Sequence, residues 1–395
     1  MSEQEDLLQD IFLKFEESFS QIQEWRRFLH EFPELSFQEL QTSRFIEEKL
    51  KSFGMSVQKT EKLGIVSLLE GNEAGPTIAL RADFDGLPIQ EENLVAYQSK
   101  NPGVMHACGH DGHTAALLGV AEAFQHLKDK LKGKILFVFQ PAEELPPGGA
   151  KFMIEEGILE TVDAVFAAHL ASDVPLGKIS LGSGFQSAAV DKFEITIQGK
   201  GGHGARPHQT IDALVVGTTV VENLQKIVSR KIDPMQSAVV TVGTFQAGSA
   251  FNIIPDTAYI SGTVRTFDKQ VRQQVEEEIR TIVKGVTTAF HANFELDYLN
   301  GYPALFNPAK ETEQVKKWFA ETFGVENLLE SVPTMGAEDF AYFLSERPGT
   351  YFKVGSRTEE SYTQFPHHHP RFDIDETALI NIEKSFATII ANYLF

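Results

Sequence analysis

Nine residues, Met105-His106-Ala107-Cys108-Gly109-His110-Asp111-Gly112-His113, contain three histidines, an aspartate and the only cysteine of the chain. Side chains that share a helix face are three or four residues apart. Cys108 and His110 therefore cannot converge from within a helix, but they can from an irregular turn. Thr114-Ala115-Ala116-Leu117-Leu118 then reads as helix, with Asp111 expected as its N-cap. The stretch is a loop that opens into a helix and presents sulfur and nitrogen donors at its mouth.

The remaining segments can be ordered around that loop. Phe12, Phe15, Phe19, Ile22, Trp25, Phe28 and Leu29 recur at helical spacing. The pattern breaks at Glu34-Leu35-Ser36-Phe37, resumes through Phe45, Ile46 and Leu50, and stops at Gly54. Apolar runs of strand length follow at 64–69, 77–80, 135–139 and 164–168. Near-continuous apolar strands separated by helices predict a mostly parallel sheet covered by helices, an α/β architecture. Three of these runs end in polar groups: Asp83 and Asp85, Glu143 and Glu144, and His169. The carboxyl ends of strands are where open α/β sheets place ligands.

From about residue 189 the texture changes. Phe193-Glu194-Ile195-Thr196-Ile197 alternates as a half-exposed strand does. Helical patterns at 212–228 and 269–289 and strand patterns at 238–244, 258–264 and 293–298 follow. The order strand-helix-strand-strand-helix-strand predicts a ferredoxin-like α+β unit. We therefore expect a domain of residues 1–188 and 302–395, interrupted by an inserted domain of 189–301. The tail returns to helix at 311–323, strand at 349–354 and helix at 376–394. A length of 395 residues agrees with two cores.

Cys108, His110, Glu144 and His169 form a mixed sulfur, nitrogen and oxygen set that suits zinc, with manganese, cobalt or nickel as substitutes. A fifth donor from His367-His368-His369 would tie the tail to the first domain. Glu143 and Glu144 follow Pro141 and precede Pro146-Pro147-Gly148-Gly149, a rigid turn on which neighbours point different ways. One can ligate a metal while the other takes a proton from water whose pKa the metal lowers to about 7. Asp83 and Asp85 are expected to orient His110 or His113, because metal-bound imidazoles usually donate their other N–H to a carboxylate or carbonyl. In the inserted domain, His203 lies in a Gly-rich loop and is a candidate for holding an oxyanion. Asn252 and Arg265 are expected to come together, with Arg265 gripping a substrate carboxylate.

Composition closes several routes. A net charge of −20 argues against nucleic acid as a partner. No apolar run reaches the roughly 18 residues of a membrane span. One cysteine leaves no internal disulfide, and the acidic start, Met1-Ser2-Glu3-Gln4-Glu5-Asp6, lacks the order of a signal peptide, so a cytoplasmic location is expected.

From about Arg26 onward the chain resembles the metal-dependent aminoacylase and carboxypeptidase superfamily. It is most similar to the branch of hippurate hydrolases, N-acetyl-diaminopimelate deacetylases and auxin–amino-acid hydrolases. The resemblance rests on His30-Glu31-Phe32-Pro33-Glu34-Leu35-Ser36, Arg81-Ala82-Asp83-Phe84-Asp85-Gly86-Leu87-Pro88, the nine-residue loop, Pro141-Ala142-Glu143-Glu144, Gly201-Gly202-His203-Gly204, Asn252-Ile253-Ile254-Pro255 and His368-His369-Pro370-Arg371-Phe372. It implies two divalent ions held by Cys108, His110, Glu144, His169 and His368, with Cys108 bridging and His369 as the alternative tail ligand. It implies Glu143 as general base and acid, with His203, Asn252 and Arg265 as substrate contacts. The inserted domain would be a lid that also forms a homodimer. The implied substrate is an N-acyl amino acid. A metallo-carboxypeptidase or dipeptidase, a cysteine hydrolase using Cys108, and a non-catalytic binder of amino-acid derivatives are the rival readings. Leu145-Pro146-Pro147 replaces the Gly-rich turn usual after the two glutamates and stiffens that rim.

Overall fold

The computed structural model describes residues 3–395, with side chains from residue 6 onward. The chain divides into two compact units. The larger comprises the residues up to Gln186 together with Phe306–Val332 and Asp339–Phe395; the smaller comprises Ser187–Leu305 and Pro333–Glu338. Pro333–Glu338 lay outside the expected insert. It joins the smaller unit because the Ala188 amide donates to the carbonyls of Thr334 and Gly336.

The larger unit is built on an eight-stranded sheet in the order Gln58–Lys59, Ile65–Glu70, Lys132–Gln140, Glu73–Asp83, Ala164–Pro175, Gly349–Arg357, Ile179–Leu181, Leu328–Glu330. The central neighbours pair in parallel. The first two pairings at one edge are antiparallel. Parallel strands covered on both faces need apolar residues throughout. Ile78, Leu80 and Ala82, Ile135, Phe137 and Phe139, and Ala164, Phe166 and Ala168 accordingly join one buried core. The helices Glu3–Glu31, His110–Gln125 and Ala378–Leu394 pack into the same core through Phe15, Ile22, Leu117, Val120, Ile382 and Phe386.

Two local expectations change. The helix after the nine-residue loop begins at His110, and Gly109, with φ +90°, is its N-cap; Asp111 lies inside the first turn and points elsewhere. Gly109 suits that place because φ in this range strains other residues, and a Cβ there would sit 3.3 Å from Leu170 Cδ1. His169 lies within the strand Ala164–Pro175 rather than at its end. The Gly349–Arg357 strand keeps pairing past it, with Lys353 opposite His169, while the pairing with Glu73–Asp83 stops at Ala167.

The smaller unit has a four-stranded antiparallel sheet in the order Ala238–Ala247, Thr257–Thr266, Ala189–Gln198, Asn293–Asn300. Two helices, Ala213–Leu224 and Lys269–Ala289, pack on its apolar face. Asp212 and Asp268 cap them, each accepting two backbone amides. Val271, Val275, Ile279 and Val283 recur every four residues and face Phe193, Ile195 and Ile260. This is the ferredoxin-like arrangement. No described helix is long and apolar enough to cross a membrane.

One core residue runs against its surroundings. Glu383 is fully buried on the last helix, and neither carboxyl oxygen has a hydrogen-bond partner among the described residues. A Cβ on Gly119 would lie 2.1 Å from its Oε1, so the two helices meet there at close range. Burial, with Glu122 adding to it, holds this carboxyl well above the usual range. A group whose pKa is raised by folding takes stability away as pH rises above the unfolded value. Glu383→Met should therefore stabilise the fold by about 1–3 kcal/mol, with a larger gain at pH 8 than at pH 5. Thermal melts at both pH values test this, and identical gains would show that Glu383 is not linked to pH.

Candidate metal centre

The centre is assembled from the carboxyl ends of adjacent strands, the nine-residue loop and the tail. Asp85, just past the strand Glu73–Asp83, takes three partners. Its Oδ1 accepts from His110 Nδ1 at 3.1 Å, and its Oδ2 accepts the Glu144 amide at 3.0 Å and the Ser36 hydroxyl at 2.7 Å. With Nδ1 donating, His110 presents Nε2 as a lone-pair nitrogen. That atom is buried without a hydrogen-bond partner among the described residues, 4.0 Å from Glu144 Oε1. Burial pulls the His110 imidazole down, but Asp83, Asp85 and Glu144 outweigh it and push it up to about 10. A site that raises an imidazole this way is one built for positive charge.

Cys108 is buried, and its Sγ lies 3.6 Å from His169 Nε2. His169 Nδ1 donates to the Leu170 carbonyl at 2.6 Å, which leaves Nε2 facing the sulfur. Burial first, then the charges of Glu144 and Glu143, hold the Cys108 thiol well above its ordinary value. Such a thiol is a poor free nucleophile, because the thiolate is the reactive form; the cysteine-hydrolase reading loses its footing here. A divalent ion supplies the positive charge that this set lacks.

Among the described residues, five groupings bring donor atoms within 4.8 Å of one another, and three of them hold the expected ligands: Cys108, His110 and His169; Cys108, Glu144 and His368; His110, Glu143 and Glu144. Cys108 belongs to two of them. His368 Nε2 lies 3.2 Å from Glu144 Oε1. The tail is fastened to the loop by the His368 amide, which donates to the Ala107 carbonyl at 2.8 Å. His368 has φ +64°, an uncommon backbone state for a residue other than glycine. Its neighbours are engaged elsewhere: His367 Nε2 accepts the Ser172 amide, and His369 accepts the Arg371 amide and stacks on Phe365. His110 Nε2 and the Glu144 carboxyl, beside a thiol and two imidazoles, fit a pair of divalent ions.

Asp83 and His113 brace the centre from behind. His113 Nδ1 donates to Asp83 Oδ1 at 2.6 Å, and its Nε2 accepts the Leu170 amide at 2.8 Å. Both ring nitrogens are spent, so His113 orients the His169 segment and is no donor to an ion. Arg81 pairs with Asp83 at 2.6 Å. Burial opposes the Asp83 charge, but Arg81 and the two imidazoles keep its carboxyl well below the usual range. Glu143 is buried beside Glu144 and His110.

Asp111 is tied into a network that the sequence did not reveal. Arg26 Nε pairs with Asp111 at 2.8 Å and Arg26 Nη2 with Asp373 at 2.8 Å, while His30 reaches Asp111 at 2.7 Å and Glu91 at 3.2 Å. All five side chains are buried. Burial and Arg26 work against the His30 charge, yet Asp111 and Glu91 push its imidazole up to about 9. His30 stood in a recognised motif; nothing in the sequence marked Arg26. His106 is buried, and neither of its ring nitrogens has a hydrogen-bond partner among the described residues.

In the smaller unit, His203 and Asn252 are neighbours. The strands Gly202–His203 and Ile253–Ile254 pair, and the Gly204 amide donates to the Asn252 carbonyl. Both side chains are exposed. Arg265 is not with them. It sits near the far end of the strand Thr257–Thr266, opposite Val190 and Val239, with Nη1 donating to the Thr263 hydroxyl. Eight residues of extended strand separate Thr257 from Arg265, roughly 25 Å. The expectation that Asn252 and Arg265 meet is therefore wrong within one chain. Strand direction sends two motifs that look adjacent in sequence to opposite ends of the sheet.

The sequence model of peptidase family M20/M25/M40 matches residues 79–392. An N-acyl-L-amino acid amidohydrolase of Geobacillus stearothermophilus is 51% identical over 284 residues, 72% of this chain and 77% of the relative. An N-acetyl-L-cysteine deacetylase of Bacillus subtilis is 43% identical over 90% of this chain and 84% of its own length. The crystal structure of the Bacillus subtilis YXEP protein, described as a dinuclear metal-binding peptidase, superposes with a TM-score of 0.81 at 35% identity, covering 95% of this chain and 98% of the other. The fold thus has its counterpart in a known group, and the chain belongs to peptidase family M20/M25/M40.

Proposed function

We propose that this protein is a two-metal deacylase that hydrolyses the amide bond of N-acyl amino acids, such as acetyl or benzoyl derivatives, releasing a carboxylate and the free amino acid. The observation that carries this reading is Glu143, a buried carboxylate set beside His110 and Glu144, which themselves group with Cys108, His169 and His368. A bare binding protein has no use for a base at that point. The similarity to amidohydrolase and deacetylase sequences supports an acyl amino acid as substrate.

Bound at Cys108, His110, Glu144, His169 and His368, two divalent ions supply Lewis acidity and lower the pKa of water. The mixed donors suit zinc, with manganese, cobalt or nickel as alternatives. Glu143 takes the proton of the attacking water and returns it to the leaving amine. His203 donates to the oxygen that gains charge, and Arg265 holds the substrate carboxylate. The larger unit is the catalytic domain and the smaller a lid.

The placement of Arg265 and Asn252 supports a homodimer in which His203 and Asn252 serve the site of a second copy. Fully exposed Phe251 and half-exposed Ile253 flank Asn252 and give that contact an apolar surface. A thermostable carboxypeptidase of Saccharolobus solfataricus, 39% identical over 94% of this chain, favours a second reading as a carboxypeptidase. The single cysteine and the net charge of −20 support a cytoplasmic protein without a nucleic-acid partner.

Four experiments test these assignments. Glu143→Gln should keep its metal and lose roughly 10²–10⁴-fold in kcat; near-normal turnover would remove Glu143 as the base. A panel of acetyl and benzoyl amino acids set against dipeptides separates the two readings, and turnover of dipeptides alone would favour the peptidase. Cys108→Ala should bind fewer than two ions by elemental analysis, and full occupancy would take Cys108 out of the set. Co-expression of His203→Ala with Glu143→Gln subunits should restore roughly a quarter of wild-type activity, as one intact site in half of the dimers requires. No recovery would place His203 in its own subunit's site.

A further inference from the structure

Glu34-Leu35-Ser36-Phe37, with Gln38 and Glu39 behind it, interrupts the first two helices and has no place in the mechanism above. Glu39 occupies the N-cap position of the helix Leu40–Ser52, yet its side chain does not cap that helix. Glu34 does so instead, accepting the amides of Gln41 and Thr42. The Glu39 carboxyl, fully buried, turns the other way and accepts the Ala142 amide at 2.8 Å. Its second oxygen is buried without a hydrogen-bond partner among the described residues.

Ala142 immediately precedes Glu143 and has φ +54°. A residue with a Cβ is strained there and persists only when its surroundings impose the conformation. Both backbone polar groups of Ala142 are held: the amide by Glu39 and the carbonyl by the Gly149 amide at 3.1 Å. Ser36, three residues before Glu39, reaches Asp85 at 2.7 Å, and Asp85 accepts the Glu144 amide. One short segment therefore grips the turn on both sides of Glu143.

We propose that Glu39 is a positioning residue: by accepting the Ala142 amide it holds the left-handed turn that aims Glu143. The proposal rests on the deacylase reading for its kinetic consequence only. Burial, then the neighbouring charge of Asp85, pushes the Glu39 carboxyl up to about 8. That shift favours the neutral acid, and a glutamine side chain keeps its shape and its acceptor oxygen.

The test compares metal-loaded Glu39→Gln, Glu39→Leu and Glu39→Asp. Glutamine keeps the acceptor, leucine keeps only the volume, and aspartate draws the acid back by one methylene. Glu39→Leu and Glu39→Asp should lose roughly 10–100-fold in kcat, with KM within about threefold and two ions still bound, because small misplacements of a reacting group act on kcat. Glu39→Gln should stay within about threefold of wild type. Amide hydrogen exchange over residues 141–149 should quicken in the leucine and aspartate variants and not in the glutamine variant. This readout needs no substrate, so it decides the clamp even if N-acyl amino acids prove to be the wrong substrates. Should Glu39→Leu fail to fold, the aspartate variant carries the comparison. Unchanged kcat and exchange in Glu39→Asp, an equal loss in Glu39→Gln, or loss of metal in step with activity would each overturn the proposal.

Discussion

One buried carboxylate, Asp85, holds together groups that the chain delivers from separate places. It fixes the His110 ring through one oxygen, and the Glu144 backbone and Ser36 through the other. The geometry of two candidate ligands is thereby set by a residue that is not one of them. Burial alone would raise the Asp85 carboxyl, but the hydrogen bond and charge of His110, with the Glu144 and Ser36 contacts, hold it below the usual range. The carboxylate and the imidazole are each other's compensation, and buried charges persist only when paired in this way.

A second buried knot repeats the logic away from the donors. Arg26, on the first helix, neutralises Asp111 in the ligand helix and Asp373 in the tail. Removing one partner of such a knot costs about 3–5 kcal/mol, because the others are left charged and dry. Asp111 follows His110 directly, and Asp373 lies five residues after His368. The same guanidinium thus registers the two ends of the ligand set against each other.

The parts of this architecture that depend on local pattern were legible in the sequence. Helical spacing at Phe12, Phe15 and Ile22 and alternation at Phe193, Ile195 and Ile197 each foretold the buried face of an element. The crowding of Cys108, His110 and His113 into one turn foretold a centre. What depends on pairing between distant segments was not legible. His169 interrupts an apolar run, so the strand seemed to end there; hydrogen bonding to Gly349–Arg357 carries it on. Asp111 has the composition of a cap, but its partner Arg26 lies 85 residues earlier. Asn252 and Arg265 are thirteen residues apart, and only the length of an extended strand shows that they part company. Glu383 falls on a helix face that periodicity marks as core, and its burial without a partner depends on Gly119 of another helix.

The bond from the His368 amide to the Ala107 carbonyl joins a residue near the end of the chain to the loop that opens the centre. Synthesis runs from the amino terminus, so the loop, both glutamates and His169 are all made long before their last companion. The first four donors all come from residues 108–169, and the fifth comes from residue 368. A polypeptide cut short before residue 368 retains most of the sheet and lacks the full donor set. The centre therefore depends on a segment nearly 200 residues beyond the donor that precedes it.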